Sequence, residues 1–227
     1  MSEERDGVNI WLAYSDLFAG MLIVFAVFYG LQLEAERAAK KELQRAQNKA
    51  VSLLDQVAAN INRRYRGTDK EVRSDGTQLV LPADLTFPSG KHTIKGDSKT
   101  WLLEIANELR KALDDLGLDR GSMRVEVRGH TDAIPVKPMQ SIPTNWELSS
   151  RRATEIVRLF QDSQALDPVK YQIVAVGAAE FEGYKKNFGN DGVLLTSAEL
   201  EGLRRIEIRI VPNYEDLLRG LMPRPTK

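Results

Sequence analysis

The sequence predicts one membrane-spanning α-helix continued by a helical stalk, and then a two-layer α/β (α+β) domain with a mixed sheet. Three observations predict it. Residues 10–33 are almost wholly apolar, 34–66 are rich in strong helix formers with almost no breaker, and 67–227 alternate strand patterns with amphipathic helix patterns. The division is a short head over 1–9, a span over 10–33, a stalk over 34–66 and a globular domain over 67–227.

The chain has 227 residues, enough for one domain of ordinary size beside a span and a connector. Lysine plus arginine balances aspartate plus glutamate at 32 each, so charge gives no reason to expect nucleic acid as a partner. There is no cysteine, which excludes disulfides, thiolate metal sites and a cysteine nucleophile. Two histidines, His92 and His130, leave little for a histidine metal centre, so neither a metal nor a cofactor is expected.

From Ile10 the apolar run has roughly 24 positions, about 36 Å at 1.5 Å per residue, enough to cross a bilayer with some tilt. Its head carries Glu3, Glu4 and Asp6 against Arg5, unlike the basic head of a cleavable signal, so the span is expected to stay. Asp16 sits within it. A charge near the centre of a span costs about 2.5–3.5 kcal/mol on insertion scales and normally faces protein or water. On a helix Asp16 shares a face with Ala13, Gly20, Ile23, Val27 and Gly30, small enough in part for a neighbouring helix to approach. Tyr14 and Ser15 add hydroxyls beside it. Two readings stand: an ion-path carboxylate, or a carboxylate solvated at the headgroups about six residues into the span.

The stalk carries apolar residues at 39, 43, 46, 50, 53 and 57, the spacing of a coiled-coil seam, with Ile61 off register. A parallel dimer and a single solvated helix both fit. Between Glu34 and Arg66 there are eight basic and four acidic residues, so the positive-inside rule taken alone would put the carboxy-terminal side in the cytoplasm. Long domains translocate largely regardless of that bias.

Gly67 to Lys70 opens the globular part. Thr77–Leu81 reads as a short strand ending at Pro82, and Leu85–Phe87 follows it. Asp97 or Ser98 is expected to cap a helix whose apolar positions are Trp101, Leu102, Ile105, Ala106, Leu109 and Leu113, ended by Gly117 and Gly121. Arg124–Arg128 alternates as a strand, and Gly129 to Asp132 leaves it as a turn. After a proline-bearing loop over 133–144, a helix begins near Asn145 with Leu148, Ala153, Ile156, Val157 and Phe160 inward. Tyr171–Val176 is a strand closed by Gly177. A charged, glycine-rich loop covers 180–196, Arg205–Val211 is the last strand, and the tail beyond Pro212 is expected to fray after a turn of helix. Arg124, Arg128, Glu207 and Arg209 read as solvated strand faces, and Trp146 as either core or site lining.

Two elements carry recognisable chemistry: Gly129-His130-Thr131-Asp132 at a strand end, and Asn145-Trp146-Glu147-Leu148-Ser149-Ser150-Arg151-Arg152 at a helix start. An aspartate can receive an ammonium group, and an arginine can clamp a carboxylate with paired hydrogen bonds. Together they suit a zwitterion, such as the diamino acid of a bacterial cell-wall peptide. His130, Glu147 and Asp132 do not make an enzyme, because spacing suggests no third group and no enzyme-like crevice is expected.

Thr131-Asp132, Asn145-Trp146-Glu147-Leu148-Ser149, Arg152-Ala153 and Arg204-Arg205-Ile206 resemble the OmpA-like peptidoglycan-binding domain, over about residues 75–212. The resemblance implies Asp132 and Arg152 as the ligand-contacting pair, with Thr131, Asn145, Leu148 and Arg205 in support. The asparagine usual before the paired arginines is Leu203 here. The segment Trp11 to Phe18 is similar to the B subunits of ion-driven stator units of the MotB and Zorya type, and Asn-Trp-Glu-Leu-Ser is the flagellar MotB version of the wall motif. That likeness implies a homodimer inside a pentameric multi-helix A subunit, in the bacterial inner membrane with its amino terminus cytoplasmic and its domain periplasmic. It also implies that Asp16, with Ser15 and Tyr14, carries the transported proton or sodium ion. The short head and total length favour the Zorya anti-phage subtype over a flagellar stator. A passive wall anchor is the reading of another class.

Overall fold

The computed structural model describes residues 3–118, 121, 123–132, 134, 144–180, 196, 200 and 202–213, with side chains from Trp11 onward. The loops read over 133–144 and 180–196 lie largely, and residues 214–227 of the tail wholly, outside the described residues.

Helix α1 runs unbroken from Glu3 to Tyr65, 63 residues, or about 95 Å. Its large apolar side chains from Trp11 to Leu31 are all more than half exposed, and by length and composition this part can cross a membrane. The other end is different. Ala50, Leu53, Leu54, Val57, Ala58 and Ile61 are buried in the domain core, where α1 lies against the sheet and a second helix. The core therefore begins at Ala50, inside the stalk and not at residue 67. The pattern 50, 53/54, 57/58, 61 is a 3.6-residue stripe that faces a globular core, and it includes the Ile61 that a 3.5-residue seam leaves out. Seam positions 50, 53 and 57 are consumed by the domain and Ala46 packs against the rim of the same core, so only 39 and 43 remain to pair with a second stalk.

Polar bonds fix this docking. Glu108, buried on the neighbouring helix, accepts from Asn60 Nδ2 (3.0 Å) and Arg64 Nη2 (2.6 Å), and Asn62 exchanges two hydrogen bonds with the backbone of Val72.

The sheet has five strands: β1 (Arg73–Ser74), β2 (Gln78–Pro82), β3 (Met123–His130), β4 (Gln172–Ala179) and β5 (Arg205–Pro212), in the order β1-β2-β5-β3-β4. All neighbours are antiparallel except β3 and β4. Leu79, Leu81, Val125, Val127, Ile206, Ile208 and Ile210 face one way and share a single core with α1, α3 (Gly96–Asp115) and α4 (Asn145–Asp162). This is the expected two-layer α/β sandwich with a mixed sheet.

Several details differ from the sequence reading. Helix α3 starts two or three residues early: Lys95 is its N-cap and makes no side-chain capping bond, its Nζ donating to Asp84 O instead, while Ser98 Oγ donates to Leu85 O (2.6 Å). Leu85 and Thr86 belong to a one-turn helix α2 (Ala83–Thr86). Strands β3 and β4 run on through Gly129 and Gly177 rather than stopping there. Gly117, at φ +62°, terminates α3, with Leu118 N–H reaching back to Leu113 O. Trp146 is 55 % exposed and so is not core.

Candidate functional site

The ends of β2, β3 and β4, the start of β5 and the start of α4 meet at one edge of the sheet. Helix α4 is seated there by two close approaches. A Cβ on Gly129 of β3 would stand 2.2 Å from Ser149 O and 3.0 Å from Ser149 C, and one on Gly177 of β4 would stand 3.0 Å from Ser150 Cα. Glycine at both places lets the helix rest on bare backbone. Ser149 Oγ then donates to Trp146 O (2.9 Å) and accepts the Ala179 N–H (3.1 Å), tying α4 to the end of β4. Thr144 caps the helix by accepting the Glu147 N–H (3.1 Å).

Asp132 leaves β3 into this edge. It is 5 % exposed; Oδ1 accepts the Ile134 N–H (3.1 Å) and Oδ2 accepts from Arg204 Nη1 (3.0 Å). Asn145, the first residue of α4, donates through Nδ2 to the backbone carbonyls of Asp132 (3.0 Å) and Ile134 (2.9 Å), fixing the turn that presents the carboxylate. Thr131 is held by its N–H on Ala179 O (3.0 Å), and its buried Oγ1 has no partner among the described residues. Leu148, in the first turn of α4, is buried.

Arg152, two turns into α4, is only 2 % exposed. Its guanidinium lies 5.2 Å from the Phe87 ring centroid, and its one hydrogen bond among the described residues runs from Nε to Lys91 O (3.0 Å). Burial pushes its pKa down to about 10; Asp84 and Asp132 act against that at a distance, and Arg204 adds to it. The side chain is thus a charged, desolvated cation at neutral pH without a carboxylate in direct contact among the described residues. Such a group gains from an incoming anion.

The sheet edge brings Asp132, Thr131, Asn145, Leu148 and Arg152 together but not Arg205. The arginine that enters the site is Arg204, one residue before β5, whose Nε and Nη2 also bind Asp84 Oδ2 (3.1 and 3.0 Å). Because Arg205 begins the strand opposite Pro82, its side chain turns to the helix-free face, where Nε bonds Glu207 Oε1 (2.8 Å). Sequence reasoning missed Asp84 and Arg204. Adjacent arginines at a strand start point to opposite sides, so the pair itself was a signal that one of them faces elsewhere.

Glu207 is fully buried, contrary to its reading as a solvated strand residue. It lies 3.0 Å from His130 Nε2 and accepts from Arg205 and Arg209 (2.8 Å each) and from Gln78 Nε2 (3.2 Å). Burial alone would push its pKa up; His130 and then Arg205 overcome this and hold it down at about 2. A carboxylate depressed in the folded state contributes stability above its unfolded pKa, near 4.5, and loses it as pH falls toward about 2. The domain is therefore expected to lose on the order of 3 kcal/mol across that window. Chemical denaturation at pH 7, 4 and 3 checks this, and Glu207→Gln should flatten the part of the acid dependence that belongs to this residue.

Tyr14, Ser15 and Asp16 lie on the exposed part of α1, about 34 residues or 50 Å of helix before the core begins. Among the described residues, no contact joins them to the sheet-edge cluster.

Residues 86–190 match the OmpA family. The chain is 25 % identical over 180 residues to the uncharacterized protein YtxE of Bacillus subtilis, covering 78 % of this chain and 66 % of that one. It is 26 % identical over 144 residues to motility protein B of the same organism, covering 63 % and 48 % respectively. The chain thus spans just under two thirds and about half of these relatives' lengths. A crystal structure of a MotB-like protein from Desulfovibrio vulgaris has the same fold at a TM-score of 0.52 and 16 % identity, over 73 % of this chain and 94 % of that one. The molecule is a long apolar amino-terminal helix followed by an OmpA-like α/β domain with a five-stranded mixed sheet.

Proposed function

We propose that this protein is the B subunit of an ion-driven inner-membrane motor, which grips peptidoglycan with its sheet-edge cluster and carries the ion on Asp16. The observation that supports the grip is Arg152, a buried guanidinium whose one hydrogen bond among the described residues runs from Nε, standing in one cluster with Asp132 and with the Thr131 hydroxyl, which has no partner among the described residues. Wall stem peptides that contain a diamino acid offer a carboxylate and an ammonium group on one residue, which suits Arg152 and Asp132 respectively. The likenesses to the OmpA family and to motility protein B favour the same assignment.

In this reading the apolar part of α1 spans the inner membrane with the domain in the periplasm, two copies stand within a pentamer of a multi-helix partner, and the cargo is H+ or Na+. Ser15 and Tyr14 lie beside the ion carrier. Protonation or ion binding neutralises Asp16 and lets its face pass the partner helices; release recharges it. One charge crossing 100 mV supplies about 2.3 kcal/mol to bias each step. The protein works by binding and transport, without a catalytic centre or cofactor. We place it in a Zorya-type anti-phage motor; a flagellar stator is the second reading, favoured by the match to motility protein B. Phage plating and swimming assays on a deletion strain separate them.

The grip is tested by pelleting. Full-length protein in detergent is expected to sediment with purified peptidoglycan, and Arg152→Ala or Asp132→Ala to reduce the bound fraction at least tenfold, the scale of one charge-assisted hydrogen bond. Unchanged sedimentation of both variants would remove the cluster from the wall contact. A fragment starting at residue 70 is unsuited to the assay, because it lacks the buried α1 residues Ala50 to Ile61.

A further inference from the structure

Asp132, the carboxylate assigned to the ligand's ammonium group, already holds a cation. Arg204 Nη1 sits 3.0 Å from Asp132 Oδ2, while its Nε and Nη2 both reach Asp84 Oδ2 at 3.1 and 3.0 Å. The guanidinium is the more exposed partner, 28 % against 7 % for Asp132. It precedes β5 and lies two residues after Gly202, where an added Cβ would meet nothing within 4 Å. Arg204 can therefore give up Asp132 while Asp84 remains beside it as a carboxylate partner.

We propose that Arg204 is a resident competitor for the ammonium subsite, which makes the site selective for ligands that present an amine and a carboxylate together. This rests on the wall-binding reading above. Two carboxylates, Asp84 and Asp132, balance two guanidiniums, Arg152 and Arg204. A ligand bearing an amine alone must displace Arg204 from Asp132 and brings an uncompensated positive charge. A zwitterion displaces the same bond but gives Arg152 the carboxylate that it lacks, and the second gain offsets the first loss. Arg204 is thus a specificity-determining residue.

Binding of a soluble muropeptide, whose diamino acid has a free amine and a free carboxylate, is measured by calorimetry on the full chain in detergent. The same peptide with that carboxylate amidated is the second probe. Wild type is expected to bind the first and not the second. Arg204→Gln should bind the first about tenfold more tightly, the scale of one partly exposed charge-assisted hydrogen bond, and should gain measurable affinity for the amidated peptide. Arg204→Lys, which keeps the charge but not the fork that spans two carboxylates, should fall between, and it keeps the test open if the glutamine variant does not fold. Equal or weaker binding of the free peptide by a folded Arg204 variant overturns the competitor role while leaving wall binding intact. Absence of binding by wild type, or an Arg152→Gln variant that binds as wild type does, overturns the wall reading and this proposal with it.

Discussion

Gly129→Ala is expected to destabilise the domain by about 3 kcal/mol or more, at the upper end of overpacking costs, and to lower its melting temperature by roughly 10 °C. The reason is what the new methyl group meets. Its neighbours at 2.2, 3.0 and 3.2 Å are the backbone oxygen, carbonyl carbon and Cα of Ser149, none of which can rotate aside. Helix α4 would have to lift from β3 and carry Arg152 and Asn145 with it. Gly177→Ala should be milder, because its nearest contact is the Ser150 hydroxyl, which can change rotamer, although Ser150 Cα at 3.0 Å still resists. Thermal unfolding followed by circular dichroism ranks them. A Gly129→Ala melt within 2 °C of wild type would contradict the close seating of α4, and peptidoglycan pelleting of whatever folded variant remains should be weakened along with stability.

The second large effect concerns the apolar helix proposed to span the membrane. Asp16→Asn keeps size and polarity but removes the titratable charge, so the ion-driven activity of the assembled system is expected to fall to background while peptidoglycan pelleting is unchanged. Asp16→Glu should retain a part of the activity, since the carboxylate remains and only its reach changes. Protection against phage, or swimming, is measured alongside the amount of protein in the membrane. Full activity of the asparagine variant at normal abundance would turn the protein into a passive wall anchor, leaving the sheet-edge site untouched. About 50 Å of helix separates Asp16 from the core, so the two functions should fail independently.

Periodicity made the layers of the fold readable. The alternation in Arg205–Val211 and the stripe from Trp101 to Leu113 each depend only on near neighbours in the chain, and the structure has them as strand and helix. What escaped was set by distant pairing. The stripe ending at Ile61 fits a seam or a core face equally until something packs on it, and here α3 and the sheet do. Glu207 looks solvated by its own strand; only its neighbours on β2 and β3, Gln78 and His130, close over it. Arg73–Ser74 is too short for a pattern to register. At the site, Asp132, Asn145 and Arg152 were visible because each sits at a recognisable element start or end. Asp84 and Arg204 were not, since their bond spans 120 residues of sequence.

The unbroken α1 also sets a stand-off. Between Leu33, the last residue of the apolar segment proposed to span the membrane, and Ala50, where the core begins, a straight helix allows only about 25 Å. Standing farther from the bilayer requires undocking Ala50, Leu53 and Leu54, then Val57 and Ala58, one turn at a time. Each freed turn adds about 5 Å of reach and exposes apolar surface that was closed in the core. Under the proposed function, the distance from membrane to wall would thereby be linked to the stability of the domain assigned to the grip.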